Sequence, residues 1–157
     1  MAAEIILATA EHAAELAPLV RQADRDEFMA ASGQSPEEVL ADGLALSSHT
    51  WAGLLDGRVV CMFGVAPMPG ADGVGVPWMV GSERLDRCAS VFLRRCRRSG
   101  MIRQMLDAYP VLMNAVDCRN TRAIAWLKWL GFSFGNPIPY GVAGLPFHVF
   151  EMRGSHV

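Results

Sequence analysis

The side chains of this sequence that could do chemistry fall into three groups. The first is a pair of carboxylates, Asp117 and Glu151, each at or near the end of an apolar, strand-like run, "VLMNAVD" and "FHVFEM". A strand-end carboxylate could take a proton from a bound nucleophile. Arg119 and Arg153 each lie two residues further on, however, so pairing with arginine is the leading reading for both acids. The second group is polar and uncharged at pH 7. Asn114 and Asn120 flank "AVDCR". Asn114 could bond a ligand in a cleft or satisfy a backbone group at a strand end, and for Asn120 capping of the helix that follows is the leading reading over ligand binding. His148 shares a strand face with Phe150 and reads as a hydrogen-bonded core or edge residue. His12, His49 and His156 have no partner by spacing. Cys61, Cys88, Cys96 and Cys118 form no CxxC pair and no metal-ligand pattern with the histidines, so they read as free thiols of a reducing compartment.

The third group is basic. Thirteen arginines stand against one lysine, Lys128. Arg84, Arg87, Arg94, Arg95, Arg97, Arg98 and Arg103 fall in a stretch whose sole acid is Asp86. A charge run of this kind is usually a solvated helix face. Its sharper reading is a contact surface for a phosphate, a nucleic acid or an acidic partner chain. Without aromatics interleaved for base stacking, nucleic acid is the weakest of the three.

These residues need a frame. A chain of 157 residues with 52% hydrophobic content and a net charge of −2 is expected to fold as one domain over residues 1–157. No apolar run is long enough to cross a bilayer. The start, "MAAEIILATAEH", carries an acid where a secretion signal needs basic residues, so export is not expected. "EIILA" reads as a strand, and Thr9 caps a helix with Ala13, Leu16, Leu19 and Val20 on one face. Ser35, Pro36 and Glu38 form the start of a second helix, with a capping box. "TWAGLLDGRVVCMFGV" is a hairpin turned at Asp56-Gly57. "VGVPWMVG" is a third run, which Pro77 is expected to interrupt, bulge or distort.

From Ser82 to Tyr109 two apolar stripes are offset at Gly100, which predicts a kink or two helices. "VLMNAVD" then reads as a strand, and the helix from Asn120 to Leu130 closes at Gly131. "FSFGNPI" and "FHVFEMR" are final strands, separated by a loop from Pro137 to Pro146. The order β-α-α-β-β-β-α-β-α-β-β implies an α/β (α+β) mixed sheet with helices on both faces and a parallel step in its second half.

That order, with "NTRAIAWLKWLGFSF" in this place, resembles the GNAT (GCN5-related) N-acetyltransferases. The family's motif N-x-x-A-x-x-L-Y-x-K-x-G-F is matched by Asn120, Ala123, Gly131 and Phe132, with Trp126 at the Leu position. The resemblance implies a V-shaped gap between two parallel strands that holds acetyl-coenzyme A. Trp78, Met79, Val80, Asn114, Asn120 and Ala123 would face the cofactor. In an active enzyme Asp117, Glu151 and Tyr140 would be the catalytic candidates. Two departures oppose activity. The family's acid, a Tyr, is replaced by Leu127, and loss of a positioned acid costs on the order of 10²–10⁴ in rate. The phosphate loop R/Q-x-x-G-x-G/A, expected after "VPWMVG", is replaced by "SERLDRC"; "RRSGMI" is a partial echo.

A narrower resemblance joins "VPWMVGSERLDRC", "FLRRCRR", "YPVLMNAVDCRNTRAIAWLKWLGFSF" and "FHVFEM". These segments, from about Val76 to Met152, are similar to GNAT-like internal virion or assembly proteins of short-tailed bacteriophages. This resemblance implies a virion or morphogenesis role, in host cytoplasm or in the particle, with a degenerate acetyl-CoA site. It also implies viral structural proteins or further copies of the chain as partners. Arg84, Arg87, Arg94, Arg95, Arg97 and Arg98 would be the contact surface. An active acetyl-CoA-dependent N-acetyltransferase and a non-catalytic coenzyme A binder are the alternatives.

Overall fold

The computed structural model describes residues 2–154; His156 lies outside them. Eight strands form one sheet in the order β1-β2-β3-β4-β5-β8-β6, with β7 paired to β8. They are β1 (Ala3–Leu7), β2 (His49–Leu55), β3 (Arg58–Pro67), β4 (Val74–Gly81), β5 (Val111–Asp117), β6 (Ser133–Phe134), β7 (Ile138–Tyr140) and β8 (Leu145–Arg153). Every neighbouring pair is antiparallel except β4–β5. Six α-helices cover the sheet: α1 (Ala10–Leu16), α2 (Gln22–Ser32), α3 (Pro36–Leu46), α4 (Leu85–Ser99), α5 (Met101–Ala108) and α6 (Thr121–Leu130).

Strand alternation divides the core into two layers. On one face Cys61, Phe63, Val65, Leu112 and Phe150 meet Leu85, Ala89, Phe92, Met105 and Trp126 of α4, α5 and α6. On the other, Ala52, Met62 and Val80 meet Leu16, Phe28 and Leu40 of α1, α2 and α3.

Local chemistry sets most boundaries where they were expected. Thr9 and His12 form a capping box at α1, which gives His12 a partner that its spacing had not indicated. Ser35 and Glu38 form the second box, at α3. Asp56 and Gly57, both at positive φ, turn the β2–β3 hairpin. Gly100 adopts φ +70° and divides α4 from α5.

Several expectations need correction. The first helix does not run on to Val20, because after Leu16 the chain tightens into a 3₁₀ turn, Ala17–Leu19, that contains Pro18. A separate helix, α2, occupies a stretch where no element was expected. Pro77 neither interrupts nor bulges β4, whose register against β3 runs without a shift from Cys61↔Gly81 to Pro67↔Gly75. The one irregularity lies in the hairpin, between Gly53 and Leu54. A strand residue points its N–H and C=O to the same side, and the Pro77 carbonyl accepts from Asn114 of β5. The N–H that proline lacks would therefore face β5, not β3, and the ladder to β3 loses nothing.

The loop expected from Pro137 to Pro146 contains β7, then a strap that docks on the end of α2. Val142 and Ala143 donate their N–H groups to the carbonyls of Ala31 and Ala30, which α2 leaves unpaired at its C-terminus. Gly141 makes this approach possible. It sits at φ +73°, and a Cβ there would lie 2.6 Å from the Ala31 backbone. Gly141→Ala combines left-handed strain with a backbone collision. It should lower stability by about 2 kcal/mol or more, measured as a reduced urea midpoint with the slope unchanged.

Candidate functional site

β4 and β5 pair at only two positions, Val74↔Val111 and Gly75↔Leu112, and then part. Separated parallel strands leave main-chain donors and acceptors facing each other without a ladder, and buried groups of that kind must find partners. On β4 the alternation turns Gly75, Pro77, Met79 and Gly81 toward the gap. Pro77 has no donor, and its carbonyl takes the Asn114 amide at 2.7 Å. Gly81 donates to Asp24 Oδ2 at 2.9 Å and accepts from the Arg21 N–H at 2.8 Å. On β5 the Ala115 N–H donates to Asn114 Oδ1 at 2.7 Å, and the Asp117 N–H to Glu27 Oε1 at 2.9 Å. Asn114 thus bridges both edges. Two carboxylates one helical turn apart on α2 close them further along, Asp24 on β4 and Glu27 on β5.

Around this seam lies a cavity of about 280 Å³, reaching both faces of the sheet. It is close to the lower end of the ~300–1,000 Å³ typical of small-molecule sites. Trp78, Met79, Val80, Asn114, Asn120 and Ala123, the residues expected to face a cofactor, all line it, as does Tyr140. So does Leu127, which places an apolar side chain at the motif's acid position. Trp78 also anchors the wall through Nε1, which donates to Ser47 Oγ at 2.7 Å.

Asp117 and Glu151 are not among the lining residues. Asp117 is buried and held by Arg119, at 2.7 Å from its Nη2 and 2.8 Å from its backbone N–H. Glu151 lies 3.6 Å from Arg153. The arginine partners favoured from the sequence are the ones observed. His148 bonds the Gly135 carbonyl through Nδ1 at 2.8 Å and is a satisfied edge residue, as expected. Asn120 occupies the N-cap position of α6 but makes no side-chain cap bond. Its amide turns inward, to Asp24 at 3.1 Å and Glu27 at 3.4 Å, because the buried carboxylates compete for its donors.

Arg21 completes the buried cluster, at 4% exposure. Its Nη1 meets Asp24 at 2.7 Å, its Nε meets Asp86 at 2.8 Å, and the guanidinium lies 4.8 Å over the Trp126 ring. Burial raises the Asp24 carboxyl above its ordinary range, against the opposing pull of Arg21 and of the Gly81 N–H. Glu27 is half-buried by exposure, but its carboxyl faces the cavity. Desolvation, opposed by the Asp117 N–H and reinforced by Asp24, lifts it from 4.5 to about 7.

The turn from β4 into α4 is where a phosphate cradle would sit. Gly81 donates to Asp24, Ser82 to the Val60 carbonyl and Glu83 to the Leu19 carbonyl. Leu85, Asp86 and Arg87 donate within the turn itself. Glu83 and Asp86 also bring negative charge to the helix start. Arg84 and Arg87 of the same turn, and Arg21 at Asp86, balance these acids, so it is the occupation of the donors that opposes a phosphate cradle.

The sequence reading missed Arg21, Asp24 and Glu27. The signal available was the spacing of Asp24 and Glu27, which places two acids on one face if "QADRDEFMAAS" is helical.

No family model matches the chain, and no curated protein does. Solved structures match over nearly the full length. A GNAT-family acetyltransferase from Streptococcus pneumoniae aligns with 98% of this chain and 100% of its own, at 14% identity and a TM-score of 0.67. A putative acetyltransferase from Salmonella typhimurium, solved with acetyl-CoA, aligns with 100% and 97% at 13% identity and 0.64. An aminoglycoside acetyltransferase AAC(6')-Ib, in complex with coenzyme A, aligns with 97% and 95% at 16% identity and 0.67. The chain has the GNAT acetyltransferase fold, as its element order implied.

Glu27 sets a pH dependence whose sign follows from its environment. Its folded pKa lies above its unfolded one, so the folded state keeps a proton that the unfolded chain releases. Stability therefore falls as pH rises from 4.5 to about 7 and levels off above that. The full displacement corresponds to about 3 kcal/mol. Glu27→Gln, which retains an acceptor for the Asp117 N–H, should flatten this window. Urea midpoints at pH 5 and pH 8 are expected to differ less in the variant than in the wild type.

Proposed function

We propose that this chain is a GNAT-fold protein without transferase activity, serving in the virion or the morphogenesis of a short-tailed bacteriophage. The single observation that supports loss of transfer is the closure of the gap by the chain's own side chains. Met79 alone keeps a gap-facing main-chain donor on β4 that the contacts above do not use, between a proline without an N–H and a glycine bonded to Asp24. A cofactor entering here would have to displace buried carboxylates, and the main-chain donors that its phosphates would need at the start of α4 are already bonded. Leu127 could supply no proton to a leaving thiolate. The virion role rests on the sequence resemblance from Val76 to Met152. Other viral structural proteins would be its partners, in host cytoplasm during assembly and then in the particle.

One observation favours an active N-acetyltransferase as the second reading. Glu27 lines the cavity with a pKa of about 7, the range that suits a general base at neutral pH. It would take the proton of an acceptor amine, and Tyr140, also on the lining, would be the candidate acid. Bound acetyl-CoA would supply the acetyl group, with the Met79 backbone as its remaining anchor on β4.

Thermal melts with and without millimolar acetyl-CoA separate the readings. A ligand at a hundred times its dissociation constant adds roughly 2.7 kcal/mol, a shift of several degrees in a domain of this size. No shift is expected. A shift without turnover on peptide amines would identify a passive coenzyme A binder, and turnover abolished by Glu27→Gln would establish the enzyme. For the virion role, mass spectrometry of purified particles and of assembly intermediates is expected to find the chain in at least one, and absence from both would refute that role.

A further inference from the structure

Charge is segregated by face in this molecule. Residues 84–103 hold seven arginines against one acid, in a chain whose net charge is −2. The structure turns most of these arginines outward on α4 and the start of α5. Arg84, Arg87, Arg94, Arg95, Arg97 and Arg98 are all exposed. Among the described residues, no carboxylate oxygen lies within 4 Å of Arg87, Arg94, Arg95, Arg97, Arg98 or Arg103, whereas Arg84 reaches Asp56 at 3.9 Å. Asp86, the single acid, faces inward to Arg21.

The opposite face of the sheet is the converse. Glu11, Asp26, Glu37, Glu38 and Asp42 are exposed on α1, α2 and α3. The basic residues of that layer are withdrawn. Arg21 is buried, and Arg25 folds onto the carbonyls of Val20 and Ala17, both at 3.0 Å. From residue 10 to 46 no Lys or Arg is exposed.

We infer that the α4 face binds the α3 face of a second copy of this chain. The geometry is matched as well as the sign. Glu38 and Asp42 on α3, and Arg94 and Arg98 on α4, are each spaced by four residues, about 6 Å of helix rise. Ala41, exposed between Glu38 and Asp42, and Ala45, exposed one turn beyond Asp42, leave room for long arginine side chains to lie flat. Each face also carries one large exposed apolar residue. Leu46 ends α3, and Trp129 stands beside α4 with Arg97 stacked 4.1 Å over its ring.

The two faces lie on opposite sides of one sheet, so the contact is heterologous. Each copy offers both a donor and an acceptor surface, and the product is a ring or an open stack rather than a two-fold dimer. Nucleic acid is a poorer occupant. The sequence pI is about 6.1, far from that of a basic nucleic-acid-binding domain, and the aromatic beside the arginines is already covered by Arg97. This inference is independent of whether the gap binds a cofactor.

Sedimentation velocity of the full chain tests it, at about 50 mM and about 500 mM NaCl. Association is expected at low salt, weakened about tenfold or more at high salt, since a charge-driven contact between exposed groups is screened. The double variants Arg94→Glu/Arg98→Glu and Glu37→Lys/Asp42→Lys should each be monomeric with wild-type circular dichroism. Mixed in equal amounts, they should associate again, because each supplies the face that the other has lost; a misfolded variant could not show this rescue. A wild type monomeric at low salt, or association that neither reversal disturbs, would overturn the inference. So would a wild type that stays monomeric while its α4 face binds duplex DNA.

Discussion

Two parallel strands that part halfway along their length cannot leave their main chains bare inside the domain. That constraint organises the centre of this fold. β4 and β5 share two register positions and then diverge, and every polar group along the opening needs a partner or water. Elsewhere in the sheet antiparallel neighbours meet the need automatically. Here side chains do so, and their placement accounts for residues that otherwise look misplaced. These include an asparagine in mid-strand, two acids on the inner face of a helix, and an N-cap residue that declines to cap. No buried side-chain nitrogen or oxygen among the described residues lacks a partner, and along the seam those side chains take up the main-chain groups of Pro77, Gly81, Ala115 and Asp117, leaving the Met79 N–H to the cavity.

The closure explains why α2 matters more than its sequence announces. Asp24 and Glu27 bring negative charge into a low-dielectric place, and Arg21, Asn120 and two backbone N–H groups compensate it. Removing one member of such a cluster leaves the others uncompensated, so the residues stand or fall together. The strap after β7 adds a second tie, fastening the end of α2 through two backbone bonds. The helix that seals the gap is thus held at both ends, by Arg21 and Gln22 against the β4–α4 turn and by Ala30 and Ala31 against the strap.

Elements whose signals are local were legible in the sequence. The Asp56-Gly57 turn, the Ser35 capping box, the break at Gly100 and the stop at Gly131 each depend on residues within a few positions of one another, and each appears as read. α2 was not legible. Its residues include six polar or charged side chains among "QADRDEFMAAS", with no stripe to mark a buried face, because its inward positions are acids satisfied by strands about 55 to 90 residues away. Pro77 was misjudged for a related reason. A proline's effect on a strand depends on which edge its nitrogen faces, and the sequence does not say which neighbour that edge will meet. The residues that the family resemblance named for a cofactor line the cavity, while the acids of α2 that reach the strand edges were invisible to it. Asp117 and Glu151 stood where catalysts could stand and turned out to be partnered to arginine.

The distribution of charge follows from the same seam. A fold that holds an anionic cofactor between β4 and β5 must offer free donors and positive potential at the start of α4. This chain places Asp24, Glu83 and Asp86 around that spot, with Arg21, Arg84 and Arg87 balancing their charge, and binds its own donors there. The single guanidinium that remains inside, Arg21, is taken up by Asp24 and Asp86. Arg94, Arg95, Arg97 and Arg98 lie in the later turns of α4, away from its start. They project from the exposed face of a strongly amphipathic helix whose other face is packed in the core. Arg97 stacks on Trp129 and Arg84 reaches Asp56, while Arg87, Arg94, Arg95 and Arg98 stand outward with no carboxylate among the described residues to pair them. The buried cluster takes up one guanidinium, Arg21, and the arginines of residues 84–103 stand at the surface.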